Sequence, residues 1–120
     1  MNKRAQGASG EDSAAAFLQR HGYRILQRNF RCRFAEIDII AEQDRTICFI
    51  EVKSRSSDRA GSAAEAVNAA KQQRIARAAQ VYLQQQGMAD CPARFDVVAI
   101  SAAGGRREIS LIEDAFEVQE

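Results

Sequence analysis

The stretch EIDIIAEQDRTICFIEVK, from Glu36 to Lys53, permits little besides a β-hairpin. Two short blocks rich in isoleucine, valine and phenylalanine flank a polar turn. Side chains alternate along a strand. Ile37 and Ile39 therefore share one face, and Glu36 and Asp38 the other. On the second strand Glu51 and Lys53 share a face with Ile47 and Phe49, while Cys48, Ile50 and Val52 point the opposite way. With Asp44 and Arg45 at the centre of the turn, Gln43 pairs with Thr46, Ile39 with Ile50, Asp38 with Glu51, Ile37 with Val52 and Glu36 with Lys53. A slip of one residue would mix the apolar and charged sets, so the pattern favours this register. The turn itself argues weakly, because Asp-Arg is not a favoured type I′ pair.

Directly opposed carboxylates on a half-buried sheet stand about 5 Å apart. At an effective dielectric of about 20 they repel by about 3 kcal/mol. A retained proton, neighbouring basic side chains or a bound divalent cation would each relieve that strain. Oxygen ligands of this kind suit Mg²⁺ or Mn²⁺, with waters completing the shell. Lys53 beside such a site can orient or deprotonate an attacking water. The plainer alternative is a cross-strand Glu36–Lys53 ion pair, with Asp38 and Glu51 on a solvated rim.

The remaining pattern supplies the elements around this hairpin. Residues 1–8 read as a loose lead-in, followed by a helix from Gly10 to His21 with Ser9 as its N-cap. A strand covers Tyr23 to Arg33. Residues 54–62 read as a loop, and a long helix runs from Ala63 to Gln86, ended by Gly87. Strands at Ala93–Ser101 and Arg107–Glu113 follow, joined by a turn at Gly104 and Gly105. The expected order is αβββαββ in one domain covering residues 1–120. A chain of 120 residues with 46% hydrophobic content suits one core. No apolar run reaches the length needed to span a bilayer, so the expectation is a cytoplasmic protein without membrane contact. Three cysteines far apart and one histidine do not make a structural zinc site. The net charge of +1 argues against a strongly basic nucleic-acid-binding domain, although local distribution decides that matter.

The quoted hairpin carries a resemblance. Asp38 followed by Glu51-Val52-Lys53 resembles the D…ExK motif of the PD-(D/E)XK nuclease superfamily. Together with GASGEDSAAAFLQRHGYRILQRNFRCRFAEIDIIAE, FIEVKSR, AVNAAKQQRIARAAQVYL and RFDVVAI, it is similar to the YraN family of small bacterial proteins, over Gly7 to Phe116. That family resembles archaeal Holliday-junction resolvases. The resemblance implies an α/β, restriction-endonuclease-like fold, a mixed five-stranded sheet flanked by helices. It also implies a metal-dependent endonuclease acting on DNA rather than RNA, with branched or structured DNA as substrate, Mg²⁺ or Mn²⁺ as cofactor and a two-fold homodimer as assembly. Asp38 and Glu51 would be metal ligands with the Val52 carbonyl as a third, and Lys53 would position water or stabilise phosphate charge. Glu11 would be an accessory acid, and Glu36 matches the acid of the family's GEID, with Ala35 standing where glycine is usual. The alternative is a non-catalytic module that keeps the fold and binds nucleic acid or protein.

Several flanking residues have two readings. Glu11 shares a helical face with Ala15 and Leu18 and can reach the sheet, or it complements a helix N-terminus. Lys71 lies on the stripe Val67, Lys71, Ile75, Ala78, Tyr82. The surface is the favoured destination for its ammonium, the acidic cluster the other. Asp96 is expected to pair with Arg94, with a contribution to a site as the other reading. Arg31, Arg33, Arg55, Arg59, Lys71 and Arg74 are candidates for holding backbone phosphates.

Overall fold

A computed structural model describes residues 3–55, 67–103 and 106–117. The elements are α1 (Lys3–Arg20), β1 (Arg24–Arg31), β2 (Glu36–Gln43), β3 (Thr46–Arg55), α2 (Ala69–Gln85), β4 (Ala93–Ala103) and β5 (Arg106–Phe116). They form one five-stranded sheet in the order β1-β2-β3-β4-β5. Neighbours pair antiparallel except β3 and β4, which run parallel. A parallel neighbour requires a crossover, and α2 lies on it. The expected α/β class and αβββαββ order are those observed.

Each helix covers one face. Ala14, Ala15 and Leu18 of α1 pack with Ile39, Ala41, Cys48, Ile50, Val98 and Ile100. Ile75, Ala78, Ala79 and Tyr82 of α2 pack with Phe30, Ile37, Ile40, Phe49 and Val97. The apolar stripe read on α2 is the buried one, and each large side chain it removes from water contributes about 1.5–3 kcal/mol.

Helix boundaries differ from expectation. α1 begins at Lys3, so Ser9 lies inside it rather than capping it. Ala5, Gln6 and Ala8 favour helix there despite Gly7 and Gly10. α2 begins at Ala69, and Asn68 is its cap, its side chain accepting the Lys71 N–H at 2.9 Å. Of the loop expected over residues 54–62, Ser54 and Arg55 instead continue β3 beside Ile100 and Ser101, and the remainder, with residues 63–66 and the Gly104-Gly105 turn, lies outside the described residues.

The hairpin follows the expected register from Gln43–Thr46 to Ile39–Ile50. Asp44 and Arg45 have φ of 51° and 65°, the positive pair that a type I′ turn demands, in spite of their identities. Beyond Ile39–Ile50 the expectation fails. Ile37 belongs to the α2-side core and Ile39 to the α1-side core, so the two do not share a face, and Ile37 does not oppose Val52. The cause lies in β1, where Asn29 has φ 56°. The pairs Arg28–Ile39 and Phe30–Ile37 flank Asn29 and Asp38, and the faces exchange between them. Asparagine tolerates this left-handed backbone better than other residues with a side chain of its size.

Candidate active site at the open end of the hairpin

The exchange of faces leaves Asp38 where β2 and β3 part. Its Oδ2 accepts the Val52 N–H at 2.8 Å, replacing the ladder bond that a continuing strand would have made. β3 meanwhile stays paired with β4, Glu51 beside Val97 and Val52 beside Val98. That holds Glu51 on the α2 face, where it is only 8% exposed. A buried carboxylate needs partners, and it has them. Lys71 Nζ donates to Glu51 Oε1 at 2.8 Å, and Lys53 Nζ approaches the same oxygen at 3.7 Å. Lys71 therefore reaches inward to the acids, contrary to the surface position favoured from sequence. The buried carboxylate outweighs the gain from hydrating the ammonium.

Asp38 has no such cation among the described residues. Burial, and then the charge of Glu51, push its carboxyl up to about 7, with Glu11 adding to the shift and the Val52 N–H opposing it. The Lys53 ammonium lies below its ordinary value, first through burial and then through neighbouring Lys71, against the pull of Glu51 and Asp38. Burial also works against Lys71, but its hydrogen bond to Glu51 and the acids' charge carry it above the ordinary lysine value.

Glu11 comes from the opposite face. It lies well inside α1, and no acid occupies that helix's first turn, so the helix-dipole reading does not apply. Gly10 permits the approach, since a Cβ there would meet Ser54 Oγ at 3.2 Å. With its amide nitrogen turned to the acids, Asn29 donates to Glu11 and to Glu36 Oε1 at 3.2 Å. Glu36 also pairs with Arg31 at 3.4 Å and, among the described residues, not with Lys53. Sequence reasoning did not single out Asn29. Its signal is its presence in a strand, where asparagine is depleted.

Asp38, Glu51 and the Val52 carbonyl offer hard oxygen donors of the type Mg²⁺ and Mn²⁺ take, and these ions need few protein ligands because water and substrate supply the rest. Among the described residues no three Asp, Glu, His or Cys side chains form a ready-made cage. The half-buried Asp38, beside Glu51 and without an ion pair among the described residues, is the feature such an ion would relieve, and the donor set fits it.

The basic candidates divide. Arg31 is tied to Glu36. Arg33 lies over the Phe34 ring, 4.9 Å from its centre. Arg74 is exposed on α2, Arg55 ends β3, and Arg59 lies outside the described residues. Asp96 is apart from this site. Fully buried, it accepts from Arg94 Nε at 3.1 Å, from the Tyr23 hydroxyl at 3.3 Å and from the Asp114 N–H at 2.8 Å. That is the structural pairing expected for it. No helix of the described residues is long and apolar enough to cross a membrane.

Comparison with known proteins agrees with the resemblance to the small bacterial family read from the sequence. A model of the uncharacterised protein family UPF0102 matches residues 10–100. A UPF0102 protein of Syntrophus aciditrophicus is 52% identical over 93% of this chain and 88% of its own length. A counterpart in Chlorobium phaeobacteroides is 50% identical over 94% of both chains, and one in Geobacter metallireducens is 44% identical over 98% of this chain and 97% of its own. The chain belongs to the uncharacterised protein family UPF0102, the group that the D…ExK hairpin and its flanking segments resemble.

Proposed function

We propose that this protein is a Mg²⁺- or Mn²⁺-dependent endonuclease that hydrolyses phosphodiester bonds in DNA, with branched or otherwise structured DNA as its substrate. One observation carries the reading. Asp38 is a half-buried carboxylate whose proton affinity is raised by burial and by Glu51, and among the described residues it forms no ion pair. When bound, a divalent ion supplies charge stabilisation at the scissile phosphate and acidifies a water. The chain's own groups do the rest. Asp38 and Glu51 present oxygens from two strands, and the Val52 N–H fixes the Asp38 carboxylate by holding Oδ2. Lys71 fixes Glu51 through Oε1. Lys53, with a lowered proton affinity, accepts a proton from the attacking water or donates to a phosphate oxygen.

Calorimetric titration with Mn²⁺ is the direct test. Wild type binds, and Asp38→Ala does not. In a nicking assay on branched, flapped and single-stranded DNA, Glu51→Gln abolishes cleavage while its melting curve stays cooperative. Wild type that neither binds Mn²⁺ nor cuts any of these substrates would sink the reading.

One observation favours a second reading, a nucleic-acid-binding or protein-interaction module without chemistry. Two lysines already meet Glu51 Oε1, so that acid is balanced without a metal. DNA binding that is indifferent to EDTA and to Glu51→Gln would select it.

A further inference from the structure

Arg33, Phe34 and Arg77 form a cluster that the acidic site does not use. Phe34 lies in the short link between β1 and β2 and is half-buried. The Arg33 guanidinium stands 4.9 Å from its ring centre, and that of Arg77, on α2, 5.6 Å. Both arginines are exposed. Among the described residues neither pairs with a carboxylate. Phe34 and Arg77 also line an open groove of about 760 Å³, with Gln80, Gln84, Val81 and Ala89. The groove thus combines flat stacking groups, uncompensated positive charge, two amides that donate and accept, and an apolar floor.

The matching ligand is flat, has hydrogen-bonding edges and carries negative charge beside each ring. An unpaired nucleotide meets all three conditions. A duplex does not, because its base faces are stacked on one another, and bases are read on aromatic and guanidinium planes only where they are splayed. An acidic peptide would satisfy the charge but leave the stacking groups unused. We infer that the groove between Phe34 and α2 stacks unpaired bases of a single strand, with Arg33 and Arg77 extending the stack and holding its phosphates. The inference deepens the nuclease reading, on which its catalytic relevance rests, by assigning a substrate with an unpaired stretch. α2 carries both Lys71, at the acids, and Arg77, at the groove. Six residues of helix separate them by about 9 Å along the axis.

The chain has no tryptophan, so Phe34→Trp installs a single reporter in the groove. Titration in EDTA with a short oligothymidylate is expected to quench its emission, and a duplex of equal length to leave it unchanged. By anisotropy, Phe34→Ala and Phe34→Leu lose about 5- to 100-fold in single-strand affinity relative to wild type. Phe34→Leu keeps the apolar bulk and the wild-type melting temperature. Unquenched tryptophan, equal affinity for wild type and Phe34→Leu, or no single-strand binding by wild type would each overturn the inference. Metal-free binding separates the two readings. Mn²⁺-dependent cutting with binding insensitive to Phe34 removes this inference alone, whereas Phe34-dependent binding without cutting removes the nuclease reading alone.

Discussion

At Asp38 the folded chain keeps a carboxyl near a pKa of about 7 against an ordinary 3.8. The folded state therefore binds more protons than the unfolded state between those values, and stability falls as pH rises across that window. Above it the full cost, on the order of 2–4 kcal/mol, is present. Asp38→Asn keeps an oxygen for the Val52 N–H and removes the charge. It is expected to be more stable than wild type by on the order of 2 kcal/mol at pH 8, with the gap closing below pH 5, in urea unfolding at the two pH values. Lys71 carries the opposite expectation. Lys71→Met strands Glu51 with the more distant Lys53 alone and costs about 2 kcal/mol. Adding Glu51→Gln recovers most of that loss in a double-mutant cycle. Asp96 is costlier still. Asp96→Ala leaves Arg94, the Tyr23 hydroxyl and the Asp114 N–H without their common acceptor, a loss of about 3–5 kcal/mol in the same measurement.

Among the elements, the hairpin was the most legible in sequence, because its apolar pairs leave one register for Ile39–Ile50 through Gln43–Thr46. Its open end was not. The strict alternation that set the register predicted a continuous ladder to Glu36–Lys53, whereas the left-handed backbone at Asn29 exchanges the faces and separates Ile37 from Ile39. A single φ value of this kind has no signature in hydrophobic period. The expected ladder pairing of Asp38 with Glu51 is not formed, since the register ends at Ile39–Ile50, and the inward turn of Lys71 depended on knowing that Glu51 is buried. The start of α2 was legible in hindsight from Asn68, whose capping bond is an ordinary helix signal. The turn at Asp44-Arg45 yields a prediction of its own. Both residues sit at positive φ, which costs L-residues about 1 kcal/mol or more each. Replacing the pair by Asn-Gly raises stability by about 1 kcal/mol with the register intact, measured as a shift in the urea midpoint at constant m-value.

Over the whole molecule, a net charge of +1 means that the proposed nucleic-acid binding would rest on a local path and not on a general positive field. If Arg33, Arg74 and Arg77 supply the phosphate contacts, the logarithm of affinity for single strands falls with that of salt at a slope of about −2. Arg77→Ala flattens it measurably in anisotropy titrations at several salt concentrations.

The parallel pairing of β3 with β4 also sets an order of assembly. Hairpin partners are near in sequence and meet early, but β4 docks only after the chain has returned past α2, a long and slow closure. As the polypeptide leaves the ribosome, Asp38 and Glu51 emerge before Lys71 does. Until α2 arrives only Lys53 is at hand to answer the charge of Glu51, so the acidic pocket is finished only when the crossover closes.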